Sequence, residues 1–154
     1  MKSKIISKLF VVVGLLALAL STMAFTPASS VNVAGGGTGT LDAFGTGTAG
    51  IVGNGTVKVT GNGVLWVKDN GGDAKVTAVG YGRVLKTSSG WTRYEGFNGS
   101  AKVQGSKIEV KIVGANVVLH AEGTGKFYLA GKGTYKTGTT SGNWTSATKT
   151  YQIK

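Results

Sequence analysis

The chain has 154 residues, a formal net charge of +11, 27 glycines, a single histidine and no cysteine. Without cysteine there is no disulfide, so the fold must rest on an apolar core and backbone hydrogen bonds. One histidine and 6 scattered acids supply no catalytic or metal-binding constellation, and no cofactor is expected.

Residues 1–24 have the layout of a secretory signal peptide: Lys2, Lys4 and Lys8 precede an apolar run from Phe10 to Leu20, followed by small residues around Thr22-Met23-Ala24. The run falls short of the roughly 20 residues a membrane span needs, so no transmembrane segment is expected after cleavage. Loss of 1–24 removes three of the 17 basic residues and none of the 6 acidic ones, leaving 14 against 6, or +8. The expected location is therefore extracellular or periplasmic. Residues 25–44 hold the only proline and the run Gly35-Gly36-Gly37-Thr38-Gly39-Thr40. They offer too little apolar surface to offset ordering entropy, which predicts a flexible lead-in, with at most a short edge strand at Val31-Asn32-Val33-Ala34.

Residues 45–154 are expected to form one all-β domain. Val57, Val59, Gly61, Gly63, Leu65 and Val67 share one parity; so do Val76, Ala78, Gly80, Gly82 and Val84, and Leu119, Ala121, Gly123, Gly125, Phe127 and Leu129. Alternate side chains of a strand point to opposite faces, so each run reads as one bent strand with glycines on its inner face. Paired inward glycines relieve crowding where a sheet bends, and rings such as Trp66, Trp91 or Phe127 could lie over that glycine floor. Gly45, Gly53 and Gly61 are eight apart and keep one face; Gly96, Gly105, Gly114 and Gly123 are nine apart and flip it. The flips predict turns or bulges at Gln104-Gly105-Ser106-Lys107 and Gly114-Ala115-Asn116.

Asp69-Asn70-Gly71-Gly72-Asp73 reads as a hairpin turn joining 64–67 to 76–79. Further turns are expected at Thr87-Ser88-Ser89-Gly90, at Gly96-Phe97-Asn98-Gly99 and within 137–143. The resulting expectation is an antiparallel curved barrel or sandwich of about 8–10 strands, with a β-solenoid-like meander as the alternative.

The outward parity carries Lys58, Lys68, Lys75, Lys102, Lys107, Lys111, Lys126 and Lys132. Such lysines discourage edge-to-edge aggregation, and they also attract polyanions. Arginine is confined to Arg83 and Arg93, which gives no support for specific nucleic-acid recognition. The densest aromatic patch, Trp91, Arg93, Tyr94 and Phe97, suits either a sugar-stacking surface or a core plug. With the outward lysines Lys58, Lys68, Lys75, Lys102 and Lys111 it makes up the candidate binding set. His120 falls on the outward parity. Asp69 and Asp73 flank a turn and are better explained by it than by a hard cation. Asn54, Asn98 and Asn143 head Asn-x-Ser/Thr sequons.

The functional expectation is a non-enzymatic, secreted cell-envelope or extracellular structural and binding module that associates with an anionic polysaccharide or envelope polymer. The alternative is a carrier holding a small apolar ligand in a β-barrel cavity.

Overall fold

The computed structural model describes residues 38–154; the expected leader, 1–24, and most of the lead-in, with its edge strand at 31–34, lie outside them. Among the described residues there is no helix, and one antiparallel sheet holds six strands: β1 (Gly39–Asp69), β2 (Lys75–Val79), β3 (Arg83–Lys86), β4 (Trp91–Thr137), β5 (Thr140–Asn143) and β6 (Lys149–Gln152). The all-β, antiparallel expectation is met. The strand count differs, because β1 and β4 run 31 and 47 residues without losing their ladder. Bends that were expected to separate strands are absorbed inside them.

The register explains how strands so long stay compact. Leu41 and Val57, 16 residues apart, both pair with Ala121, and Ala49 and Leu65 both pair with Ile112. β1 therefore returns next but one to itself, with β4 between successive passes. A sheet paired in this way must wind about an axis, so β1 and β4 form a two-strand antiparallel coil.

Each turn of the coil folds into two facing layers. In one, neighbouring segments run in the order 83–86, 91–95, 64–69, 108–113, 48–53, 126–130, 149–152. In the other the order is 75–79, 100–104, 56–60, 117–122, 39–45, 134–137, 140–143. The first layer is called face A and the second face B by their solvent sides.

Between the layers lies the core, and its parity can be followed along the chain. The buried apolar side chains of β1 are all at odd positions, among them Leu41, Ala49, Val57 and Leu65. In β4 they are odd at Phe97 and Val103, even at Ile108 and Ile112, and odd again at Leu119 and Phe127. Each switch coincides with a bulge, where two β4 residues oppose one of β1: 106 and 107 face Asn54, and 115 and 116 face Thr46. Lys107 and Asn116 take positive φ there, 48° and 52°. Asn54 Oδ1 accepts the Lys107 N–H at 2.8 Å, which pins the first bulge. The nine-residue spacing is thus an eight-residue half-turn plus one bulge residue. The constant advance expected of a solenoid does exist, on β1, where no bulge interrupts it.

Glycines build the corners, by a different mechanism from the one expected. Gly55 and Gly123 pair directly, and a Cβ on Gly55 would stand 2.1 Å from the Glu122 carbonyl oxygen, while one on Gly123 would stand 2.0 Å from that of Asn54. The obstacle is partner backbone, not a ring laid over a glycine floor. The same reciprocal contact recurs at Gly45 with Gly133, Gly47 with Gly131, Gly53 with Gly125 and Gly63 with Gly114. These pairs lie where the coil passes from one layer to the other.

Several expectations are corrected. β1 begins at Gly39 and buries Leu41 and Ala43, so the lead-in does not reach residue 44. Segments 64–67 and 76–79 do not form a hairpin with each other; both pair with β4. The Asp69 carboxylate accepts N–H bonds from Gly71, Gly72 and Ala74, making 69–74 another corner that carries the chain from one layer to the other. The run 76–84 is not one bent strand: it breaks into β2 and β3 at the sheet edge, where Val76, Val79 and Val84 stay exposed because no strand covers them. Residues 96–99 form a bulged corner inside β4, not a strand-ending turn. The expected turns at 87–90 and within 137–143 are present, joining β3 to β4 and β4 to β5.

Candidate binding faces

The nine candidate residues separate onto two outer faces and the interior. Trp91, Arg93, Lys68 and Lys111 lie on face A, while Lys58, Lys75 and Lys102 lie on face B, the opposite side of the domain. Phe97 is fully buried, and Tyr94 points inward, packed against the core and edge-on to Tyr81 at 5.1 Å. Neither belongs to an outer face. The reason is local: Arg93 and Tyr94 are consecutive and so point oppositely, and the bulge at 95 and 96 then keeps Phe97 on the inner side.

Face A gathers an aromatic and cationic row across the strands. The register sets Arg93 beside Trp66, Trp66 beside Lys111, Lys111 beside Gly50, and Gly50 beside Tyr128. Trp66 and Trp91 meet edge to face, centroids 6.2 Å apart at 88°. The Arg93 guanidinium lies 4.9 Å from the Trp66 centroid, and Lys111 Nζ lies 5.0 Å from that of Trp66 and 5.7 Å from that of Trp91. Lys68 Nζ approaches Trp91 at 6.0 Å. These are cation–π distances, at which the ring quadrupole holds each cation near the surface.

Glu95 bridges Arg83 and Arg93, and the Arg83 hydrogen bond, against a smaller opposing effect of burial, holds its carboxyl below the ordinary value. Lys68 and Lys111 form no ion pair among the described residues. Tyr128 lays its ring over Gly50, where any Cβ would collide with the phenol. Burial, with the nearby Glu109 charge, pushes that phenol up to about 12, so it remains a hydrogen-bond donor at neutral pH.

Trp66 and Tyr128 lie outside the candidate set that the sequence suggests. The signal for Trp66 was its parity, shared with Lys58 and Lys68; for Tyr128 nothing in the sequence links it to Gly50, 78 residues earlier.

Face B carries a row of mixed charge: Lys102, Lys58, His120, Asp42 and Lys136 are successive cross-strand neighbours. His120 Nδ1 lies 2.6 Å from Asp42 Oδ1 and its Nε2 lies 3.0 Å from Glu122 Oε1. Burial pulls the imidazole pKa down, but the hydrogen bonds and charges of the two carboxylates outweigh it and hold the group above its ordinary value.

The interior between the faces is packed. Phe127 stacks on Tyr151 at 5.1 Å and meets Tyr135 edge-on at 5.4 Å, while Trp144 is buried and donates from Nε1 to the Thr134 carbonyl. A recess lined by Ile51, Val57, Ile108 and Ala121 has a volume of about 10 Å³, room for one water.

No known protein family, curated protein or solved structure matches this chain.

Proposed function

We propose that this protein is a secreted, non-enzymatic binding module of the cell envelope or extracellular space, and that it holds an anionic polymer on face A. The observation that carries the reading is the pair of lysines, Lys68 and Lys111, held over two outward indoles and forming no ion pair among the described residues, although Glu109 is the cross-strand neighbour of Lys68. On face B the histidine and the acids Asp42 and Glu122 interrupt the lysine row, which suits solubility better than polyanion capture. The filled interior favours binding at the surface over carriage of an apolar ligand, which calls for a cavity of about 300 Å³ or more.

Retention on heparin and on immobilised poly-glutamate, eluted with a salt gradient, tests the reading. Affinity governed by counterion release falls linearly with the logarithm of salt concentration. Charge reversal at Lys68 and Lys111 together should bring elution to markedly lower salt, and reversal at Lys58, Lys75 and Lys102 should change it less. Absence of retention on both columns at low salt, or retention indifferent to salt, overturns the proposal.

A further inference from the structure

Face A carries something that polyanion capture alone does not require. We propose that the band formed by Trp91, Trp66 and Tyr128 is a site for an acidic polysaccharide, whose sugar rings stack on exposed aromatic surface while its anionic groups meet Lys68 and Lys111. The inference rests on the polyanion reading and adds to it the requirement for a sugar ring.

Both indoles are partly exposed on the solvent side of a sheet whose core is already filled by Phe97, Phe127 and the aliphatic residues. A face shaped only for solubility or diffuse charge has no need of indoles that hold cations over their rings; on face B the exposed aromatic is Phe44, and among the described residues no cation–π contact forms there. Amphipathic rings at a surface supply rigid, partly apolar contact at low entropic cost, which is what the C–H face of a sugar ring accepts.

The edge-to-face geometry of the pair, 88°, presents one indole at right angles to the other. That suits a saturated ring lying on one face with its substituents directed along the second indole. It suits a run of flat bases poorly, since these stack on aligned platforms.

Length points to a polymer. From Arg93 through Trp66, Lys111 and Gly50 to Tyr128 the row crosses four strand-to-strand steps, about 19 Å at roughly 4.8 Å per step. At its far end the Tyr128 phenol keeps its proton at neutral pH and offers a hydroxyl donor. A single sugar would cover only part of such a row, whereas a chain laid across the strands reaches the lysines and the phenol together.

The test compares polymers at about 0.15 M salt, where charge attraction between separated groups is screened beyond about 8 Å. Titration of the exported protein with polygalacturonate, dextran sulfate, poly-glutamate, neutral dextran and poly(dT), followed by tryptophan fluorescence and calorimetry, separates the contributions. At least one acidic polysaccharide should bind about tenfold or more tightly than poly-glutamate and quench tryptophan emission, with neutral dextran silent. The double substitution Trp66→Ala and Trp91→Ala should weaken that polysaccharide about tenfold more than it weakens poly-glutamate. Should the double variant fold poorly, Trp91→Ala alone serves in its place, with a loss of affinity for the polysaccharide that exceeds its loss for poly-glutamate expected. Equal affinity for acidic polysaccharides and poly-glutamate overturns this inference and leaves the polyanion reading standing. Tighter binding of poly(dT) overturns it in favour of a single-stranded nucleic acid, and silence with every polyanion overturns both.

Discussion

Gly55 and Gly123 face each other across β1 and β4 so closely that neither strand leaves room for a Cβ on the other. Both also take φ values that L side chains rarely adopt, 137° and 147°. Gly123→Ala therefore meets a backbone carbonyl at 2.0 Å that no rotamer change can move. The expected cost is roughly 2–5 kcal/mol from overpacking and backbone strain together. Gly82→Ala, whose nearest obstacle is the Glu95 carbonyl at 3.5 Å, should stay within about 0.5 kcal/mol. Urea denaturation of the two variants is the check, and equal stability would defeat the corner account.

The start of the domain is testable in the core. Leu41 is fully buried near the beginning of β1, pairing with both Ala121 and Thr137. Leu41→Ala should destabilise by about 2–5 kcal/mol, as expected for a packed leucine. A change within about 0.5 kcal/mol, the range of a surface substitution, would place residues 39–44 outside the folded core.

The His120 cluster gives a signed pH dependence. Because the histidine pKa is raised in the fold, its contribution is fully present below the ordinary value of 6.5 and is lost as pH rises through the folded value. Glu122 is lowered, chiefly by its hydrogen bond to His120, so its contribution is present above 4.5 and is lost as pH falls through its own folded value. The cluster thus stabilises most between about pH 4.5 and 6.5. His120→Gln should lower the thermal midpoint in that window more than at pH 9, and a uniform effect across pH would contradict the linkage.

Asp69 is held below the ordinary carboxylate value, first by the Ala74 N–H, against a smaller effect of burial, and then by Gly72 and Gly71. A depressed folded pKa gives stability at neutral pH that is lost on acidification. Asp69→Ala should lower the thermal midpoint at pH 7 and flatten its decline in acid. A decline as steep as in the unaltered protein would show that the corner draws nothing from this carboxylate.

Processing is read by mass. If residues 1–24 direct export, the exported protein should begin at or near Phe25 and lack Lys2, Lys4 and Lys8. Recovery of the full-length chain in a membrane fraction would argue for an anchor.

The sequence by itself determined the class, the direction of pairing and much of the parity. Side-chain alternation is a property of the strand backbone, so Val57, Val59, Leu65 and Val67 announced the inner face locally, and the odd spacing between Gly105 and Gly114 announced bulges. What lies beside what, however, is set by register between residues far apart in the chain. Only the tertiary structure decided that Ala121 serves both Leu41 and Val57, that 64–67 and 76–79 are neighbours of β4 and not of each other, and that Tyr128 covers Gly50. The candidate site divided for the same reason. Lys58 and Lys68 share a parity and both face solvent, yet the corner at Gly61 and Gly63 lies between them and carries them to opposite sides of the domain. Alternation fixes inside from outside along a strand; which outside a residue reaches depends on where the coiled sheet turns, and that is settled by backbone-to-backbone contact between glycines that the sequence keeps far apart.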